Sequence, residues 1–264
     1  MLRKIRIVLA TVFFVLITLL FLDFTGTIHR YFSWLASIQL VPAIMAVNVG
    51  VIIVLILLTL LFGRVYCSMI CPMGVLQDLI SWIASKRKSG KYRFSFSPAK
   101  NILRYCILVV FIASMITGIG AIVSILAPYS SYGRIATELF APIYTSVNNL
   151  CAYIAERIDS YAFYSVDMYV KSIVTFSVSI FTLLVVFILA WRNGRTYCNT
   201  ICPVGTLLGF ISKYSYLKPI IDTEKCVNCK ACSRSCKASC IDVNNHKIDY
   251  SRCVSSVLSR NILI

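Results

Sequence analysis

One pattern occurs twice in this chain, each time directly after an apolar run near bilayer length, and it constrains the fold more than any other feature. Residues 63–76 read G-R-V-Y-C-S-M-I-C-P-M-G-V-L and residues 194–207 read G-R-T-Y-C-N-T-I-C-P-V-G-T-L. The Gly, Arg, Tyr, both Cys, Ile, Pro, second Gly and Leu recur at a constant offset of 131 residues. A chain duplicated in this way builds two copies of one unit and brings its cysteine pairs to equivalent places.

The solvent of those units is read from composition. The chain is 59% hydrophobic with a mean hydropathy of +0.82, outside the range of ordinary soluble domains. Four apolar segments, at about 5–22, 44–62, 102–124 and 172–191, approach the roughly 20 residues that cross ~30 Å of hydrocarbon. No small-residue cleavage site follows the first, where Asp23-Phe24-Thr25 stands, so it reads as a retained helix.

A net charge of +16 raises the question of nucleic acid, and the placement of the charge argues against it. Arg3, Lys4 and Arg6 precede segment one. Arg64, Lys86, Arg87, Lys88, Lys91, Arg93 and Lys100 lie between segments two and three, with Arg104 at the start of segment three, and Lys and Arg are again frequent after segment four. The other two connections hold only Arg30, Arg134, Arg157 and Lys171. This is a positive-inside bias, which places both termini in the cytoplasm of a multi-pass inner-membrane protein and assigns the charge to anionic lipid headgroups.

The expected fold is therefore an all-α polytopic membrane protein, with four transmembrane helices in two parallel repeats and a small C-terminal ferredoxin-like α+β module. Residues 1–95 form the first repeat, 96–215 the second and 216–264 the module. Two crossings separate the cysteine motifs, so both face the same side and can meet at one site. Within the connections, 136–153 and 73–85 carry apolar residues at helical spacing, as surface helices do. The run Lys86–Lys91 reads as a basic linker.

Proline cannot continue a helix but fits its first turn, so Cys71 and Cys202, each before a Pro, belong at helix starts. There the helix dipole, with Arg64 and Arg195 nearby, is expected to favour the thiolate. Cys67 and Cys71 with Cys198 and Cys202 make four thiolates, enough for one iron–sulfur cluster between the repeats; the alternative is a pair of membrane-proximal turns with buried thiols. With ten of the twelve cysteines in predicted cytoplasmic segments, a disulfide framework is not expected. Cys106 and Cys151 read as small buried hydrophobes.

The C-terminal segment carries Cys226-x2-Cys229-x2-Cys232-x3-Cys236, the spacing of a bacterial 4Fe–4S motif, with Lys237 where Pro is usual. Zinc is the competing ligand for such spacing, and the triple Cys-x2-Cys-x2-Cys favours iron–sulfur. A hairpin should follow, with strands near Ile241–Val243 and Ile248–Tyr250 joined at Asn244-Asn245, and then Cys253. Ser256 and Ser259 stand where the next two cysteines of a second motif would fall, so the second half of the module reads as degenerate or cut short. One cluster is expected, with Cys236, Cys240 or Cys253 as its fourth ligand.

Other polar residues read as structural. His29, Asp23, Gln39 and Asn48 are polar residues near the outer ends of segments one and two, where such groups can mark a quinone site; for His29, in a short loop, a role facing water or headgroups is favoured. Gln77 and Asp78 read as the solvated face of the inner surface helix. Ala127–Arg134 reads as a cap on segment three.

At these motifs the chain resembles the membrane-bound polyferredoxins of the NapH/NosR type. The resemblance rests on the two Cys-x3-Cys-Pro motifs after apolar helices, the C-terminal ferredoxin motif and the stretch P-Y-S-S-Y-G-R after segment three. It implies [4Fe–4S] clusters, with Cys67, Cys71, Cys198 and Cys202 matching the membrane motifs and Cys226, Cys229, Cys232 and Cys236 the first ferredoxin motif. It implies electron transfer between the quinone pool or a membrane partner and a redox partner protein, as a quinol-dehydrogenase-type subunit without catalysis of its own. No nucleophile–base pair for hydrolysis or group transfer is visible. The rival expectations are an assembly or metal-handling factor for a respiratory complex, and a truncated, inactive gene product.

Overall fold

The computed structural model of the protein describes residues 2–23, 26–87, 94–157, 164–167, 172–221, 226 and 228–254. Helix α1 (Leu2–Leu22) is an apolar run without Gly or Pro. Short helices α2 (Thr27–Phe32), α3 (Trp34–Ser37) and α4 (Leu40–Met45) lead to α5 (Val49–Phe62). A helical turn, α6 (Tyr66–Met69), carries Cys67, and Pro72 opens α7 (Pro72–Arg87). The second unit follows the same plan. Helices α8 (Asn101–Ile116), α9 (Gly120–Leu126) and α10 (Pro128–Ile135) continue through a π-helical turn at Ala136–Phe140 into α11 (Ala141–Glu156). Then come α12 (Ile173–Asn193), the turn α13 (Thr196–Thr200) and α14 (Pro203–Ser212). The chain finishes with α15 (Ala231–Ser235) and an antiparallel hairpin of β1 (Ile241–Asp242) and β2 (Lys247–Ile248), which pairs Ile241 with Ile248.

Among the described residues, two helices are long and apolar enough to cross a membrane: α1 from Lys4 to Leu22, 19 residues, and α12, 21 residues. The other two apolar segments differ from the continuous helices expected. Segment 44–62 is divided by a turn at which Val47 takes a φ of 52° and the Asn48 side chain caps α5 by accepting the Val51 N–H at 3.4 Å. Through that turn α4 doubles back, and the residues before it reach Tyr66, past the end of α5. Helix α5 itself, with 14 residues, rises only about 21 Å, short of ~30 Å of hydrocarbon. Segment 102–124 is α8 and α9, broken at Gly118, whose φ is 75°.

The two units exchange their motif helices. Helix α7 packs against α12 of the second unit, and α14 packs against α5 of the first. Within each unit the first long helix supports its own motif: α1 lies on α6 and α7, and α8 on α13 and α14. Helix α10 fits between α7 and α12. Ile17, Leu35, Met73, Tyr132, Ile135 and Val186 are fully enclosed in this core. Outside it, Val8 and Val12 on α1, Leu57 on α5, Val109 on α8 and Phe181 and Leu184 on α12 are exposed. Inside lie Gln39, Arg64, Gln77, Arg104 and Arg195. Apolar outside and polar inside is the inverse of a water-soluble domain. Arg104, counted from sequence with the cytoplasmic charge, belongs to this interior at 2% exposure, as does Arg64, expected near the thiols, at 0%.

The C-terminal module has its own small core of Ala238, Cys240, Ile241 and Val243, packed with Ile221 and Ile248. The hairpin forms at the expected place: Asp242 Oδ1 accepts the N–H groups of Asn244 and Asn245 at 3.1 and 3.3 Å, an Asx-type turn. The module does not stand apart. The Arg195 N–H donates to the Lys237 carbonyl at 2.9 Å, Asn199 Nδ2 to the Ala238 carbonyl at 3.1 Å and Ser212 Oγ to the Tyr250 carbonyl at 2.9 Å. It is seated directly on the second cysteine motif.

Candidate metal centre

The motif's residues divide the work of building one buried site. Gly63 and Gly194 end α5 and α12 at φ 73° and 70°, a left-handed reversal that a Cβ disfavours. The reversal turns Arg64 and Arg195 inward, and each arginine then reaches the other copy of the motif. Arg64 Nη2 donates to the Cys198 carbonyl at 3.1 Å, and Arg195 Nη1 to the Cys67 carbonyl at 3.4 Å. The two backbones are thus clasped across the repeat interface by reciprocal hydrogen bonds. The tyrosines close the turns: the Cys71 N–H donates to the Tyr66 carbonyl at 3.0 Å, and the Cys202 N–H to the Tyr197 carbonyl at 3.1 Å.

As the Pro residues require, Cys71 and Cys202 sit at the starts of α7 and α14, and Cys202 Sγ accepts the Gly205 N–H at 3.4 Å. The second glycine of each motif permits a close approach. A Cβ on Gly74 would collide with the Cys67 carbonyl, and one on Gly205 with the Cys198 carbonyl and Arg64 Nη2. Both obstacles include backbone, which cannot rotate away. Gly74→Ala and Gly205→Ala are therefore expected to destabilise the protein by at least ~1–3 kcal/mol, the usual cost of overpacking. Gly120→Ala, where nothing lies within 4 Å, should be near neutral. Thermal unfolding in detergent checks this; equal midpoints for all three variants would contradict the close-approach argument.

Cys67, Cys71, Cys198 and Cys202 are all enclosed, none more than 2% exposed, and they act on one another electrostatically. Burial is the largest influence on three of them. It raises Cys71 and Cys202 well above the ordinary thiol value, with the other thiols adding to it, and it raises Cys198 to about 11 against the restraint of Arg195 and Arg64. The expected lowering by helix starts and arginines is present and is outweighed by desolvation. Burial thus favours the protonated form of Cys71, Cys198 and Cys202, and metal ligation must release those protons.

The surroundings fit an anionic group. Arg195 is bound in bidentate fashion by Asp78, at 3.0 and 2.5 Å, and Lys237 lies 3.4 Å from the same carboxylate. Burial alone would raise the Asp78 carboxyl; Arg195, and then Lys237, outweigh it and hold the group well below the usual carboxylate range. Arg64 and Arg104 make no ion pair among the described residues. They share the Ser251 carbonyl at 3.3 Å each, Arg64 also holds Asn199 Oδ1 at 2.7 Å, and the Nε of each has no hydrogen-bond partner. Arg64, a buried guanidinium that acts on Cys198 and forms no ion pair among the described residues, suits a tetrathiolate iron–sulfur cluster, which is anionic as a whole. Among the described residues no three His, Cys, Asp or Glu side chains are gathered tightly enough for a single metal ion. A cubane takes each thiolate at a different iron, so its ligands stand farther apart than those around one zinc.

The six cysteines of the module fall into two groups. Cys232 senses Cys226 and Cys229. Cys236 Sγ lies 3.5 Å from Cys240 Sγ, and Cys240 also bonds Cys253. The three candidates for a fourth ligand are therefore together, with Cys240 fully enclosed. The hydrogen bond from Cys240 is the main influence that lowers the Cys236 thiol. Ser256 and Ser259 lie outside the described residues. Cys106 is exposed rather than buried, and Cys151 is half-buried.

Several residues of the site were read otherwise from sequence. Gln77 is fully buried and donates to Cys198 Sγ at 3.0 Å, and Asp78 holds Arg195; neither is on a solvated face. Gln39 is also fully buried and accepts from Tyr66 Oη at 2.8 Å, far from an outer loop. Ala127–Arg134 is the N-cap and most of the largely buried α10, and Arg134 acts on Tyr197 electrostatically. The missed signal was in α7, where Met73, Gln77, Ile80, Ser81 and Ala84 share one helical face and are buried while Leu79, Trp82 and Ile83 on the other face are exposed. Asp23, by contrast, has a local role: its carboxylate caps the N–H groups of Gly26 and His29 at 2.9 Å each.

Comparison with known proteins points the same way. The model of a family described as a 4Fe-4S binding domain matches residues 44–91 and 174–221, the two motif-bearing stretches. The chain is 24% identical to the putative electron transport protein YccM of Escherichia coli (strain K12), over 74% of this chain and 47% of that protein. It is 27% identical to the ferredoxin-type protein NapH of the same organism, over 74% of this chain and 54% of NapH. It is 26% identical to the regulatory protein NosR of Stutzerimonas stutzeri, over 74% of this chain and 22% of NosR. The chain thus spans about half the length of the first two and less of the third. No solved structure matches it.

Proposed function

We propose that this chain, a member of the NapH/NosR-type family of 4Fe–4S ferredoxin-like proteins, is a multi-pass inner-membrane iron–sulfur electron carrier linking the quinone pool to a redox partner protein. Cys67, Cys71, Cys198 and Cys202 would hold one [4Fe–4S] cluster at the repeat interface. Cys226, Cys229 and Cys232, with one of Cys236, Cys240 and Cys253, would hold another in the C-terminal module. Such clusters supply one-electron chemistry when bound.

The observation that carries this reading is the reciprocal clasp of Arg64 on Cys198 and Arg195 on Cys67, which joins the two motifs at one enclosed place. The chain's own residues do the remaining work. The helices exclude water from the thiols. The arginines offset thiolate charge. Asn199, adjacent to Cys198 in sequence, bonds the Ala238 carbonyl inside the Cys236–Cys240 loop, so the membrane site and the module are within one side chain of each other. The positive-inside pattern supports cytoplasmic termini, with the module on the cytoplasmic face.

Anaerobic purification with iron and sulfide analysis, followed by stopped-flow reduction with a soluble quinol analogue, tests the proposal. About four irons per cluster and rapid bleaching of the visible iron–sulfur absorbance are expected. Zinc without iron, or iron that the quinol analogue leaves oxidised, would contradict it.

A further inference from the structure

The two cysteine pairs are related by the repeat, but their surroundings are not equivalent. Gln77 of the first unit donates from Nε2 to Cys198 Sγ of the second at 3.0 Å. The residue at the same offset in the second unit is Leu208, 1% exposed, and it has no donor for Cys67. Asp78 is likewise matched by Gly209. The sulfur of Cys198 therefore receives an amide N–H, and its carbonyl the guanidinium of Arg64, while among the described residues the side-chain donor that reaches Cys67 is Arg195, at the longer distance of 3.4 Å to its carbonyl.

A structural role alone explains Gln77 poorly. Its side chain is fully buried, its second contact is a local one to the Met73 carbonyl at 3.2 Å, and its Oε1 has no partner among the described residues. An apolar residue at this place would avoid the buried, unsatisfied carbonyl, and the second unit has such a residue in Leu208. What the amide adds is a donor aimed at one ligand sulfur. Hydrogen bonds to ligand sulfurs stabilise the more negative, reduced state of an iron–sulfur cluster and raise its reduction potential.

We infer that Gln77 is a positioning residue that sets the potential of the cluster proposed at the repeat interface, acting through Cys198 and making the Cys198 corner more favourable to the added electron than its counterpart, the Cys67 corner. That corner is the one joined to the C-terminal module, through Asn199 to Ala238 and through Arg64 to Ser251. The asymmetry thus points an otherwise two-fold site toward the module. This inference rests on the proposed ligation by Cys67, Cys71, Cys198 and Cys202.

The test is an EPR-monitored redox titration of the full-length protein in detergent, comparing the wild type with Gln77→Met, which keeps the unbranched stem and loses the donor, and with Gln77→Leu, which copies the second unit. The signal lost in Cys198→Ala identifies the cluster to follow. With iron content unchanged, that signal should shift to a more negative midpoint potential in both variants, and the other signal should stay in place. An unshifted midpoint in loaded variants would overturn the role of Gln77 and leave the site standing. Loss of the cluster from both variants would overturn it in favour of a purely structural role. If no signal depends on Cys198, the ligand assignment itself fails, and the role of Gln77 with it.

Discussion

Cys198→Ala is expected to remove about four irons per chain, and Cys71→Ala to remove the same four. These residues come from different copies of the motif, and that is what makes the comparison informative. If the two pairs held separate metals, the single changes would each remove part of the iron and the double change would remove the sum. If they share one cluster, each single change destroys the common unit and the double change removes no more, the non-additivity expected of groups that act together. Arg64 and Arg195 supply the reason to expect sharing, since each bonds the cysteine backbone of the opposite motif. Cys106→Ala and Cys151→Ala serve as controls, because neither residue lies in a group with other thiols. Iron quantification on anaerobically purified variants decides the matter. Additive loss would show that the repeat brings the pairs near each other without making them one site.

The sequence made the chemistry legible and hid the interior. The repeated Cys-x3-Cys-Pro pattern exposed the ligands because cluster binding demands cysteine, and cysteine in reduced compartments has few other reasons to come in repeated pairs. The turn at Asn244-Asn245 was legible because an Asx turn is local. The breaks at Val47 and Gly118 were not, since hydropathy sees one apolar run where the backbone makes two helices. Gln77 and Asp78 read as a solvated face by a rule suited to soluble proteins. In a fold whose perimeter is apolar, a polar side chain at helical spacing with Met73 and Ile80 points toward the core, where its partners come from units more than a hundred residues away in the chain. The same inversion hid Arg104, whose charge read as topology and whose partner is Ser251.

Asp78→Ala should damage the site severely without touching a cysteine. Asp78 is the carboxylate that faces Arg195, and Arg195 is buried at 2% exposure with its remaining contact on the Cys67 carbonyl. Removing one partner of a buried ion pair leaves the other charge without compensation, at a cost of about 3–5 kcal/mol. With Asp78 at 19% side-chain exposure, and Lys237 beside it also losing its partner, the lower end, ~3 kcal/mol, is the better expectation. The pH dependence has a definite sign. The folded-state carboxyl is depressed, so its contribution is complete above the ordinary carboxylate range and is lost only as pH falls toward the depressed value. The wild type should therefore keep this stabilisation at neutral pH and through mild acid, and Asp78→Ala should lack it throughout. A second variant separates stability from site building. Replacing both partners, Asp78→Leu with Arg195→Met, removes the unpaired charge and should recover most of the lost stability, as apolar replacements of buried pairs often do. It cannot restore the hydrogen bond from Arg195 to Cys67, so its iron content should stay low. Thermal unfolding midpoints and iron content measured on the same samples give both answers. Recovery of both in the double variant would show that Arg195 supports the fold alone, and that the clasp across the repeat does not hold the metal centre.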